Sequence, residues 1–326
     1  MRRLQAAVLT SPSHAYLFTG PAKSGRLRAA LEFSVSLSCS DPAAPAQPCG
    51  KCSICRRIDR GTFPDVTVVS LATQAERERE KSKNQTLNIA TVREISSAVA
   101  YRPTESAWRI VIVDDADTMQ ETAQEAFLKT LEEPPSYTVV ILIATDGDRV
   151  LDTIRSRCQE IQFGRSPDGS VRDALIARGM DAETATTISL HAGGSTGWAI
   201  DAASEPSQLE RRIERSTRSL ELIGGDHYSR MIRSIALADG WSGDRSQVLA
   251  QLDSLLVHWR RYLLSALGIG PGDSGPENVF RSQPVDRLVA AVRSVEQCRT
   301  NLEANVRPRL AFETMIAAWP PAESTR

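Results

Sequence analysis

The chain has almost no net charge: 39 Lys and Arg stand against 40 Asp and Glu, giving −1 at pH 7 over 326 residues, with a pI near 6.5. That balance excludes a global electrostatic footprint for nucleic acid, so a DNA partner would be reached through a local patch or through other subunits. Long apolar runs are also missing. The longest, residues 139–144, falls far short of the ~20 residues that span a bilayer. Two arginines near the N-terminus are followed by no apolar segment or cleavage site, so a cytoplasmic location is expected. Histidine is scarce, and His14, His191, His227 and His258 have no metal or triad spacing. No internal repeat is present.

The composition, 41% hydrophobic and 24% charged, is that of an ordinary soluble globular protein. The length exceeds what one core organises, which predicts two or three domains. Strands are predicted at 15–19, 66–70, 109–113 and 138–144, alternating with helices at about 24–37, 90–100 and up to Glu133, where Pro134-Pro135 ends the last one. This alternation implies an α/β fold with a parallel sheet. Thr118-Met119-Gln120-Glu121 has capping-box spacing. Residues 74–85, nearly all charged or polar, read as a solvated loop or frayed turn. Beyond Gly164 the pattern is helical; Val248, Leu249, Leu252, Leu255, Leu256, Trp259 and Leu263 mark a helix with a broad apolar face. In that stripe, Trp259-Arg260-Arg261-Tyr262 reads as core packing with exposed arginines.

Between the first strand and helix lies Gly20-Pro21-Ala22-Lys23-Ser24-Gly25-Arg26-Leu27. A working phosphate loop has the glycine spacing followed by Lys and a hydroxyl, the Lys for the β- and γ-phosphates and the hydroxyl for Mg²⁺. Here Arg26 and Leu27 take those places. Gly20, Ser24, Gly25 and Arg26 can still form an anion nest, and an ordinary glycine turn fits the residues equally well. Arg26 keeps the charge without being equivalent to an ammonium. Asp114 ends the third strand where a metal-coordinating acid would stand, and Asp115 stands where a longer general base would; two solvated carboxylates are the equal alternative. In Thr153-Ile154-Arg155-Ser156-Arg157-Cys158, Arg157 follows a short polar turn near a sheet edge, a placement from which an arginine can act in trans on a neighbour's γ-phosphate.

Cysteine supplies the second strong pattern. Cys39, Cys49, Cys52 and Cys55 place four thiols in a short stretch with two short C-x2-C steps, the arrangement of a closed tetrahedral Zn²⁺ site. Disulfides are the alternative, which a cytoplasmic setting disfavours. Cys158 and Cys298 read as buried apolar thiols.

Taken together, the chain resembles the AAA+ clamp-loader subunits of bacterial DNA polymerase III. The likeness rests on His14-Ala15-Tyr16-Leu17-Phe18-Thr19-Gly20-Pro21, the cysteine module with Gly61-Thr62-Phe63-Pro64-Asp65, Leu128-Lys129-Thr130-Leu131-Glu132-Glu133-Pro134-Pro135, the string ending in Cys158, and residues 302–311. About 205–295 carries no such likeness. The resemblance implies an AAA+ α/β domain over 1–164 with a zinc insertion at 39–55, a small helical lid over 165–204, and a helical collar over 205–326. It also implies a hetero-pentameric ring with delta and gamma or tau subunits, acting on a sliding clamp and primer-template DNA. ATP-hydrolysing members carry the Lys and hydroxyl that this chain lacks, and often a sensing arginine where Gly197 stands. The expectation is a largely non-hydrolysing ring member that lends Arg157 to a neighbour. An ATP-hydrolysing motor member is the alternative, and a zinc-bearing DNA-binding module a more distant one.

Overall fold

The computed structural model describes residues 2–41, 48–77, 86–269, 280 and 283–322. The chain divides into two compact units, Met1–Gly179 with Gly194–Ile200, and Met180–Gly193 with Asp201–Arg326. The predicted 165–204 segment is thus shared between the two units.

The first unit contains α1 (Arg2–Leu9), β1 (Ala15–Thr19), α2 (Arg26–Ser38), α3 (Ser53–Asp59), β2 (Val66–Val69), α4 (Leu71–Arg77), α5 (Ile89–Ala100), β3 (Arg109–Val113), α6 (Glu121–Glu132), β4 (Thr138–Ala144), α7 (Asp152–Arg155), β5 (Gln159–Gln162) and α8 (Asp168–Ile176). The strands form one parallel sheet in the order β2-β3-β4-β1-β5, with Leu17 opposite Leu142, Val111 opposite Val140, and Phe18 opposite Ile161. Side chains alternate between its faces. Leu17, Val111 and Leu142 pack with Val92, Ile95, Phe127 and Leu131 of α5 and α6. Tyr16, Phe18, Ile110 and Ile141 pack on the other face with Leu4 of α1 and Ala30 and Phe33 of α2. Helices on both faces require nearly continuous apolar strands, and β4 is buried at every position. Because all strands run the same way, the chain following β1, β3 and β4 emerges at one edge, where open parallel sheets bind ligands.

Several expectations are corrected. α2 begins at Arg26, behind a left-handed Gly25. Thr118 closes a 3₁₀ turn, its hydroxyl donating to the Asp115 carbonyl, and no capping box forms; α6 starts at Glu121 without a side-chain cap. α1 and β5 had no sequence reading; β5, Gln-Glu-Ile-Gln, is a largely exposed edge strand whose polar residues hide it. Within the charged stretch, α4 extends to Arg77. Gln74 is buried in it, donating to the Thr86 carbonyl and accepting from the Asn88 amide and the Thr91 hydroxyl. Residues 78–85 of that stretch, and 42–47 beside the cysteines, lie outside the described residues.

The second unit is built from α9 (Ala182–Ala192), the end of α10 (Thr196–Ser204), α11 (Pro206–Gly224), α12 (His227–Gly240), α13 (Arg245–Ala266), α14 (Val285–Glu303) and α15 (Pro308–Ala317). Asp181, Asp226 and Asp244 start three of these helices by accepting a hydrogen bond from the amide three residues on. Trp259 is fully buried, its ring 5.1 Å from both Phe280 and Trp319 and 5.7 Å from Tyr262. The aromatic residues of the Trp-Arg-Arg-Tyr string therefore belong to the core, while Arg260 pairs with Glu296 at the surface. No helix among the described residues is long and apolar enough to cross a membrane.

Asp65, just before β2, is completely buried. Its carboxylate accepts from the amides of Thr104, Glu105 and Ser106 at 2.7, 2.7 and 2.9 Å and from the Thr104 hydroxyl. Burial pushes its pKa up, but these donors override that and hold it below the ordinary carboxylate value. The loop they fix leads into β3, and its Glu105 makes a two-pronged pair with Arg57 of α3. Asp65→Asn would turn an amide NH₂ toward the donors and should cost about 2–4 kcal/mol at neutral pH. With the folded pKa below the unfolded value, the carboxylate's contribution is complete above about pH 4 and fades as pH falls through the folded pKa. Denaturant titrations across that range should find the wild-type advantage over the variant shrinking with acid.

Candidate functional site

The loop after β1 is shaped by backbone that only some residues tolerate. Gly20 has φ +141°, and a β-carbon there would meet the Phe163 carbonyl oxygen at 2.1 Å. Lys23 and Gly25 are left-handed, at φ 57° and 90°. The Lys23 carbonyl, turned out by this geometry, accepts from the Ser195 hydroxyl and the Gly197 amide, both at 3.0 Å. The start of α10 thus pins the loop. A β-carbon on Gly197 would lie 2.8 Å from the same carbonyl oxygen.

Arg26 opens α2 and points into the edge of the sheet, 92% buried by its 8% exposure. Its Nη2 donates to Thr145 Oγ1, just past β4, at 2.9 Å. Its Nη1 is buried with no hydrogen-bond partner, as is Ser24 Oγ. Burial lowers the guanidinium's pKa, opposed by the nearby charges of Asp114, Asp117 and Asp115 in that order. Asp114 is shifted upward, first by burial and then by Asp115, with Arg26 acting against the shift. Leu27, at the hydroxyl position, packs against the apolar layer beneath the sheet.

The acids divide their work. Asp114 ends β3, and its Oδ1 accepts from the Asp115 amide at 3.0 Å. Asp115, left-handed at φ 59°, accepts from the Leu71 amide at 3.3 Å and so caps the start of α4. Asp117 accepts from the amides of Thr145 and Asp146, joining the turn after β3 to the end of β4. The structure therefore gathers Gly20, Ser24, Gly25, Arg26, Asp114 and Asp115 at one edge, together with Asp117 and Thr145. Sequence reasoning missed those two; the third acid of Asp-Asp-Ala-Asp was the available signal for Asp117, and the residue after β4 carries none.

Arg157 lies elsewhere in the unit, just after α7. Its Nη2 donates to Glu132 Oε1 and its Nη1 to the Thr153 carbonyl, both at 2.8 Å. Arg155, in the same string, is held by Asp148, Asp152 and Glu160. The segment before α7 is fixed from α6: Gln124 donates to the Arg149 carbonyl and accepts from the Leu151 amide.

The four clustered cysteines converge, their sulfurs all within 4.8 Å of one another. Cys39 ends α2 and Cys52 caps α3, its sulfur accepting from the Cys55 amide; Cys49 Sγ accepts likewise from the Cys52 amide. Sulfur separations are 3.7 Å for Cys39–Cys49, 3.9 Å for Cys49–Cys55 and 3.3 Å for Cys52–Cys55, close to the ~3.8 Å edge of a tetrahedron with 2.3 Å bonds. The Cys55 amide pulls the Cys52 thiol down to about 6, while burial pushes Cys55 up to about 12. Four sulfurs so placed fit one soft divalent cation. By contrast, burial alone pushes Cys158 and Cys298 up to about 12.

In the second unit, His258 Nε2 lies 3.0 Å from Ser216 Oγ, in a small cavity also lined by His191, Arg212 and Arg261. Burial, then Arg261, His191 and Arg212, lowers His258 to about 4. The two arginines donate to the His191 and Leu190 carbonyls at the end of α9. The arginines of this cavity thus serve a helix end.

Two outcomes test the geometry. Native mass spectrometry should find one divalent ion per chain, lost in Cys52→Ser or Cys55→Ser. Gly197→Ala, which drives a methyl against the Lys23 carbonyl, should cost ~1–3 kcal/mol in denaturant unfolding.

Comparison with known proteins adds sequence likeness. The family described as DNA polymerase III, delta subunit, matches residues 3–167. The tau subunit of DNA polymerase III from Bacillus subtilis (strain 168) is 34% identical over 165 residues, 50% of this chain but only 27% of that protein's length. The delta' subunit of the same organism is 27% identical over 259 residues, 78% of this chain and 73% of that one. Among solved structures, a DNA polymerase III gamma subunit-related protein from Thermotoga maritima aligns over 97% of both chains at 18% identity with a TM-score of 0.40.

Proposed function

The chain belongs to the DNA polymerase III delta-subunit family of clamp-loader proteins, and we propose that it is a delta-prime-type subunit that does not hydrolyse ATP itself. The observation that carries this reading is Arg26. A guanidinium buried beside Asp114, Asp115 and Asp117 and bonded to Thr145 stands where a working phosphate loop has its lysine. Leu27 offers no lone pair to a metal, Asp115 is engaged with α4, and Gly197 has no room for a side chain. Each departure removes a group that phosphoryl transfer needs.

Arg157, in contrast, is only partly covered. On this reading it is catalytic in trans: it completes the ATP site of an adjacent gamma or tau motor subunit in a hetero-pentamer with delta, which opens the sliding clamp and sets it on primer-template DNA in DNA replication. Residues 165–204 would serve as lid and 205–326 as the collar joining subunits. The cysteine cluster would hold structural zinc, with no open position for water; zinc binding contributes ~10–16 kcal/mol in peptide precedents. Its four protein ligands would brace the α2–α3 lobe and leave the ion no part in the reaction.

The purified chain should show no metal-dependent ATP turnover. In the reconstituted clamp loader, Arg157→Ala should leave assembly intact and lower turnover at the site it serves, by ~10³-fold or more on the precedent of trans-acting arginines. Unchanged hydrolysis by the full assembly would count against the role. The 34% identity to a tau subunit over 165 residues favours a second reading, a gamma/tau-type motor. Brisk hydrolysis by the single chain, abolished by Arg26→Ala, would select it.

A further inference from the structure

Glu132 occupies an unfavourable place for an acid. It is the last residue of α6, where unpaired carbonyls concentrate negative charge and a cation is the stabilising choice. Its carboxylate is answered by Arg157, whose Nη2 donates to Oε1 while Nη1 donates to Thr153 of α7. The paired Nη atoms are the fork with which a guanidinium grips an oxyanion bidentately. Here both prongs are engaged inside the chain, and the side chain is folded back over α7, which precedes it.

We infer that Glu132 is a holding residue: its carboxylate keeps one prong of the Arg157 fork, Nη2, occupied until a phosphate of the neighbouring subunit's nucleotide displaces it. This rests on the trans-acting reading of Arg157. The two side chains are 36% and 50% exposed, so solvent screens the pair and the hold is shallow. A phosphate bearing more than one negative charge outcompetes one carboxylate. Until it does, the fraction of Arg157 held by Glu132 reduces the apparent nucleotide affinity of the shared site.

The test is steady-state ATP hydrolysis by the reconstituted clamp loader carrying this chain as wild type, Glu132→Gln, Arg157→Ala or the double variant. Glu132→Gln should lower the KM for ATP by roughly 2- to 5-fold at unchanged kcat. Arg157→Ala should lower kcat, and adding Glu132→Gln to it should change nothing further. An unaltered or raised KM in Glu132→Gln, with Arg157→Ala still impaired, overturns the hold and leaves the trans role standing. An Arg157→Ala assembly that turns over normally removes the trans role and the hold with it. Since an acid at this helix end opposes the dipole, Tm of Glu132→Gln should equal or exceed that of the wild type; a clear fall would mark a structural residue and overturn the inference.

Discussion

A buried positive charge must be answered, and the answer given to Arg26 organises the working edge of the first unit. Three carboxylates on one turn, a threonine after the neighbouring strand and the first turn of α2 are drawn to a single guanidinium. Because β1, β3 and β4 run parallel, their ends deliver these groups to the same edge without long excursions. The loop that precedes Arg26 is held at its outermost carbonyl by Ser195 and Gly197, so Arg26 enters the sheet edge from a fixed direction. Both the loop and one prong of the cation are thus held within the chain, while the other prong and the Ser24 hydroxyl have no hydrogen-bond partner.

Most of the architecture was legible because it rests on periodicity and punctuation. β1, β3 and β4 are apolar runs with clear ends, and Pro134-Pro135 stops α6 where expected. β5 was invisible because an edge strand need not be apolar, and its burial comes from one isoleucine. The capping box failed for a related reason. A tetrapeptide with the right spacing was pre-empted by a 3₁₀ turn, which took Thr118 for the Asp115 carbonyl and moved the helix start downstream. Gln74 shows the converse: inside a stretch dominated by charge, one amide is buried because three polar groups converge on it.

The candidate site was legible in its residue types, not in its partners. The residues flanking the glycines, the acids after β3 and the arginine after α7 all stand out in the chain. What no spacing reveals is that Asp115 faces α4, that Asp117 and Thr145 belong with Arg26, or that Arg157 reaches Glu132 across 25 positions. The cysteines are the exception. Short C-x2-C steps impose proximity by themselves, and the sulfur separations follow.

Gly20 carries a lesson about descent. Its missing side chain makes room for the carbonyl of Phe163, beside the last residue of β5, so closure of the sheet edge demands glycine there whatever the loop binds. A lineage could abandon nucleotide chemistry entirely and selection for folding would still retain this position. The glycine is therefore best treated as masonry, kept by the fold whatever chemistry its neighbours perform.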